Sequence, residues 1–116
     1  MPKYFPFIIG DDGEHFTILV QTECKDVYPK YARIFGENDY SGNGYCWEGH
    51  IIQLLEELDP ELLEHIDFDP EEAVLFAYID TRENQMRFLE LLCPIFEDLE
   101  KLGEHVAKAD RSRIDE

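Results

Sequence analysis

With 116 residues, 44% of them hydrophobic and fifteen aromatic, the chain can fold as one domain, because at this length roughly 65% of the unfolded surface can be removed from water. Its formal net charge of −17, from 27 acidic and 10 basic residues, opposes direct nucleic-acid binding and anionic membranes and favours basic partners. No apolar run reaches the roughly 18 residues of a bilayer span, Met1-Pro2-Lys3-Tyr4 lacks a signal-peptide core, and Cys24, Cys46 and Cys93 fit reduced thiols, so a cytoplasmic protein is expected.

Tyr4 to Ile9 and His15 to Gln21 are β-rich runs separated by Gly10-Asp11-Asp12-Gly13, which reads as a hairpin. Alternation places Phe7 and Ile9 on one face, and Phe16, Ile18 and Val20 on one face of the second strand, both toward the core. Pro29 at the start of Lys30-Tyr31-Ala32-Arg33-Ile34-Phe35 suits a short helix ended by Gly36. Ser41-Gly42-Asn43-Gly44 is a loop, after which a helix begins near Tyr45 or Cys46. Trp47, Ile51, Leu54 and Leu58 form its inward stripe with Leu55 beside it; Gly49, Gln53, Glu56 and Glu57 lie on the opposite arc.

Asp59-Pro60-Glu61 restarts the helix with Asp59 as N-cap and Pro60 at the first helical position, turning Leu62, Leu63 and Ile66 inward and Glu61 and Glu64 outward. Asp67-Phe68-Asp69-Pro70 ends it. Ala73 to Ile79 is apolar on both faces and reads as an interior strand. Thr81 caps a last long helix whose stripe, Phe88, Leu92, Ile95, Leu99, Leu102 and Val106, keeps its phase through Pro94; one helix bent at Pro94 is expected, with two abutting helices as the alternative. Together these elements predict an α+β domain over residues 1–109, a small antiparallel sheet (the N-terminal hairpin plus a strand near 73–79) packed by amphipathic helices. Residues 110–116 read as a flexible, frayed tail.

The charge is uneven. Residues 34–81 contain no lysine or arginine but hold thirteen carboxylates, Glu37, Asp39, Glu48, Glu56, Glu57, Asp59, Glu61, Glu64, Asp67, Asp69, Glu71, Glu72 and Asp80, which is −13 of the −17. A solvated face normally mixes signs, so an unmixed run reads as a docking surface for something cationic. Glu48, in the first turn of its helix, has a sufficient structural role beside the unpaired N–H groups there.

Other chemistries fit less well. Cys46 and His50 are spaced i and i+4, which allows a thiolate–imidazole pair or half a zinc site, but no close second ligand pair and no orienting group accompany them. Asp67-Phe68-Asp69-Pro70-Glu71-Glu72 resembles the start of a calcium loop, yet Glu72 stands where glycine is required and Tyr78 where a bidentate glutamate is required. Gly42-Asn43-Gly44 is too short for a phosphate-binding fingerprint, and paired carboxylates suited to a glycosidase arise by chance among 27 acids. Neither a metal, nor a cofactor, nor catalysis is expected.

At Gly42-Asn43-Gly44-Tyr45-Cys46-Trp47-Glu48, Pro60-Glu61-Leu62-Leu63, Ile66-Asp67-Phe68-Asp69-Pro70-Glu71 and the strand ending at Tyr78, the sequence resembles the Immunity protein 51 family of bacterial polymorphic toxin systems, over roughly residues 1–106. The glycine–asparagine–glycine, aromatic and tryptophan cluster is the most specific part. The resemblance implies a small α+β protein, encoded beside a toxin, that neutralises it by binding and not by catalysis. Where the family pattern favours an acid this chain has Cys46, which argues against Cys46 as a functional residue.

On this reading the partner is a cognate protein toxin expected to be basic, the chain is a monomer or weak dimer, and Glu56, Glu57, Glu61 and Glu64, with Asp39, Asn43 and Tyr45 at the loop, form the contact surface. Trp47 anchors the helix in the core, an exposed hot spot being its alternative. The rival functions are an acidic DNA mimic that inhibits a nucleic-acid-binding protein and a small enzyme using Cys46 and His50.

Overall fold

The computed structural model describes residues 3–116. In chain order it contains β1 (Ile8–Asp11), β2 (Phe16–Gln21), α1 (Tyr28–Gly36), α2 (Gly44–Leu58), a 3₁₀ segment (Pro60–His65), β3 (Ile66–Phe68), β4 (Val74–Ile79), α3 (Arg82–Glu97), α4 (Leu99–Lys108) and a 3₁₀ turn (Arg111–Arg113). The strands form one antiparallel sheet of order β1-β2-β4-β3. This is the expected α+β class, with β4 interior. The additional strand, β3, is only three residues long and is flanked by carboxylates, too short for its alternation to register in the sequence.

Local chemistry sets the β1–β2 hairpin. Asp11 Oδ1 accepts from the Gly13 N–H at 3.1 Å, and Asp12 Oδ1 accepts from the N–H groups of Glu14 and His15 at 2.9 and 2.6 Å. Gly13 supplies the positive φ, 93°, that the turn needs. Ile18 and Val20 of β2 and Leu75, Ala77 and Ile79 of β4 are fully buried, and the helices lie over this face. Ile9, expected beside Phe7 in the core, is instead 37% exposed, because β1 is the sheet edge and the helices cover β2 and β4. Phe7 does reach the core, as residue-7 chain entering β1, with its ring edge-on to Phe88 and Phe96.

Trp47 is 1% exposed, stacked on Phe96 at 5.2 Å and edge-on to Tyr31 at 5.1 Å. The core reading of Trp47 therefore stands, and burial of this size contributes about 2–3 kcal/mol. Leu58, assigned to the same inward stripe, is 42% exposed, since it is the last residue of α2 and the chain turns away at Asp59. The restart at Pro60 is 3₁₀, not α. Asp59 occupies the N-cap position, but its side chain makes no cap bond and accepts instead from Arg87 of α3. The last helical run is two abutting helices, not the single bent one expected, and the break falls at Asp98 and not at Pro94. Helix α3 passes through that exposed position and ends at Asp98, whose side chain accepts from the Lys101 N–H and starts α4. A proline ring on the solvent side leaves its orphaned carbonyl to water, so the helix tolerates it.

Residues 110–116 lie along α2 where the sequence reads as a frayed tail. Gln53 and Asp110 exchange two hydrogen bonds of 3.0 and 2.8 Å, Arg113 pairs with Glu56 at 2.5 Å, and Ile114 sits on Gly49. Arg111 lies over the Tyr40 ring at 4.1 Å and donates to the carbonyls of Asn38 and Asp39, and Glu116 accepts from the Ser41 N–H at 2.5 Å. The segment is polar, but its few contacts match in charge and shape. Gly49, placed on the solvent arc by periodicity, is consequently buried.

Candidate functional site

The Gly42-Asn43-Gly44 loop is built to dock α2 onto the turn between β3 and β4. Gly42 takes φ 78°, and the Gly44 N–H donates to the Glu72 carbonyl at 3.0 Å. A Cβ at residue 44 would fall 1.9 Å from the Glu71 carbonyl oxygen and 2.2 Å from that of Val74, a backbone approach only glycine permits. Asn43 is the N-cap of α2, its Oδ1 accepting from the Cys46 N–H at 2.9 Å. Asp39, at φ 65°, presents its carbonyl to Arg111. Of the three loop candidates, Tyr45 alone is free of such duties, and it is 37% exposed.

The four helical candidates fall in two groups. Glu56 is held by Arg113, whose hydrogen bond keeps the Glu56 carboxyl below the usual range. Glu57 is exposed, with His105 at 3.9 Å. Both lie about 16–18 Å along α2 from Tyr45, at about 1.5 Å per residue. Glu61 and Glu64 are exposed on the 3₁₀ segment, past the turn at Asp59 and next to β3. The seven candidates thus occupy three places, not one patch.

Three carboxylates of residues 34–81 pair with arginines outside that segment, Glu37 with Arg33, Glu56 with Arg113 and Asp59 with Arg87; Glu57 lies 3.9 Å from the His105 imidazole, and Asp80 is bonded to His65 within the segment. Asp80 lifts the His65 imidazole above its ordinary value through a 2.6 Å hydrogen bond. Among the described residues, Asp39, Glu48, Glu61, Glu64, Asp67, Asp69, Glu71 and Glu72 have no cation within 4.0 Å. Six of these eight fall between 61 and 72. Most of the unbalanced charge therefore sits around β3, a grouping that linear spacing hides because Arg87 and Arg113 are distant in sequence from Asp59 and Glu56.

Cys46 and His50 are both buried. Burial pushes the Cys46 thiol up to about 12, keeping it protonated, and pushes the His50 imidazole down to about 4, keeping it neutral. His50 packs between the rings of Tyr40 and Phe35, with Nε2 buried and unpartnered. The surroundings oppose both charged forms of a thiolate–imidazolium pair. Glu48 is half-buried and raised by that burial and by Asp115. Among the described residues no group of three or more His, Cys, Asp or Glu side chains is placed to hold a metal ion, and no helix is long and apolar enough to cross a membrane.

A family model described as Immunity protein 51 matches residues 7–111, nearly the whole chain, and the chain belongs to that family. No curated protein and no solved structure gives a significant match.

Proposed function

We propose, from membership of the Immunity protein 51 family, that the chain binds and neutralises a cognate bacterial toxin by occluding it, with no catalytic step and no cofactor of its own. The observation that carries this reading is the family match across residues 7–111. The charge supports a more specific partner, a toxin with a basic active-site cleft. A net charge of −17 accelerates encounter with such a protein, and carboxylates left without counter-ions gain most from meeting cations. The protein works in the cytoplasm, as a monomer or weak dimer.

Asp39, Tyr45, Glu56, Glu57, Glu61 and Glu64 are exposed members of the contact set; the Asn43 and Glu56 side chains join it already oriented by their internal bonds. Burial of Cys46 and the absence of charged forms at Cys46 and His50 favour this reading over a cysteine enzyme. The test is co-expression with the toxin encoded beside this chain. Growth is restored, the two proteins co-purify, and their association slows as salt is added. Failure both to restore growth and to co-purify refutes the proposal.

A further inference from the structure

The sheet face turned away from the helices carries a surface that the acidic pattern alone does not reveal. In register, Ile8 pairs with Leu19 and Leu19 with Phe76, while the Asp69 N–H donates to the Phe76 carbonyl at 2.7 Å. One row across the sheet therefore reads Ile8, Leu19, Phe76, Asp69. The next reads Gly10, Thr17, Tyr78, Asp67. Strand alternation puts these side chains opposite the buried Ile18, Val20, Leu75 and Ala77. Ile8 is 48% exposed, and Leu19, Phe76 and Tyr78 are partly exposed, with the Phe76 and Tyr78 rings 5.0 Å apart.

Each row runs from an apolar or small residue at the β1 edge to a carboxylate at the β3 edge. At that acidic corner a hollow of about 160 Å³ opens between Glu64, Asp67, Asp80, His15, His65 and Tyr78. Asp80 is engaged by His65 and Asn84, whereas Glu64 and Asp67 have no cation within 4.0 Å. Two unpaired carboxylates beside an aromatic ring are the surroundings that suit a guanidinium or ammonium group. A second copy of this chain fits poorly, because pairing two such faces sets acidic edges against each other or buries carboxylates against Ile8. An anionic membrane is repelled by the same groups.

We propose that the open sheet face is where the toxin docks. An apolar protrusion of a basic protein covers Ile8, Leu19 and Phe76, and one of its arginine or lysine side chains enters the hollow bounded by Glu64, Asp67 and Tyr78. The proposal rests on the immunity reading above and deepens it. It places the main contact on the side of the sheet away from α2, with Glu64 shared between the two surfaces.

The probe is the purified toxin encoded beside this chain, titrated against the full chain and three variants shown to be folded by circular dichroism. Asp67→Lys weakens binding by about 10–100-fold and Ile8→Glu by about tenfold, as charge reversal and polar insertion at a central contact do. Glu57→Lys, on α2, weakens binding less than Asp67→Lys does, because the sheet face carries the main contact and α2 a secondary one. Hydrogen exchange in the complex shows protection in β1, β2 and β4, a readout independent of any variant. The sheet assignment is overturned if Glu57→Lys costs more than Asp67→Lys, or if protection is confined to residues 43–57. In either of those cases the wild-type chain still binds and the immunity reading survives; if the wild-type chain neither binds nor neutralises the toxin, both fall.

Discussion

The seat of Ile114 on Gly49 can be tested by adding one methyl group. A Cβ at residue 49 would meet Ile114 Cγ1 at 2.8 Å and its Cβ and Cγ2 at 3.1 Å, all well inside the roughly 3.5–4.0 Å of favourable carbon contact. Two opposed effects follow. Alanine in place of glycine in a helix interior gains about 0.8–1 kcal/mol, while overpacking costs about 1–3 kcal/mol unless the C-terminal segment lifts. Gly49→Ala in the wild-type background should therefore cost about 0–2 kcal/mol. In an Ile114→Gly background, where all three of these carbons are gone, the same change should gain up to about 1 kcal/mol. Urea unfolding of the four proteins gives the coupling directly, about 1–3 kcal/mol in the sense that alanine at 49 is tolerated only without Ile114. Lifting of the segment also frees Arg111 from Tyr40 and Arg113 from Glu56, so trypsin cleaves Gly49→Ala there faster than wild type. Additivity within about 0.5 kcal/mol, with unchanged trypsin sensitivity, refutes the docking of residues 110–116 on α2.

Two further outcomes separate structural constraints from freedom. Gly44→Ala forces a Cβ into two backbone carbonyl oxygens and should cost more than about 3 kcal/mol or prevent folding, whereas Gly103→Ala, with nothing within 4 Å, should gain about 0.5–1 kcal/mol; thermal melts that rank Gly44→Ala level with wild type would refute the contact between α2 and the 71–74 turn. His50 is held at about 4 by burial, with a smaller contribution from Arg111, against roughly 6.5 when unfolded. Between those values the unfolded chain takes a proton that the folded chain excludes, so stability falls as pH drops from about 6.5 toward about 4, by up to about 3 kcal/mol. The difference between wild type and His50→Gln in urea midpoints at pH 7 and pH 4.5 isolates this contribution; equal pH slopes in the two proteins refute it.

The parts of this fold that were legible in the sequence are those written in periodicity. Ile18 with Val20, and Trp47 with Ile51 and Leu54, announce buried faces by spacing alone, and Thr81 announces a helix start. What escaped depends on partners remote along the chain. Ile9 alternates correctly but lies on the edge strand, outside the main cover of the helices, and Gly49 looks solvent-facing until Ile114 arrives from 65 positions away. The candidate contact set shows the same limit. Counting acids along residues 34–81 marks out a charged segment, but only the fold shows that Arg113 and Arg87 quiet Glu56 and Asp59 and leave Glu61 to Glu72 bare.

The bare acids have a simpler duty, since β3 is a sheet edge and charge there discourages pairing with another chain. That duty is already met by a three-residue strand carrying Asp67, and it does not require Glu64, Asp69, Glu71 and Glu72 as well. Nor does edge protection explain why Ile8, Leu19, Phe76 and Tyr78 stay open on the adjoining face, where polar residues would serve solubility better. A surface that must stay soluble alone and bind a cationic protein tightly needs both features side by side, apolar area for affinity and same-sign charge for encounter and for exclusion of its own kind. On the proposed docking, the carboxylates at the β3 edge meet both demands with one set of side chains, repelling a second copy of the sheet and attracting a basic partner.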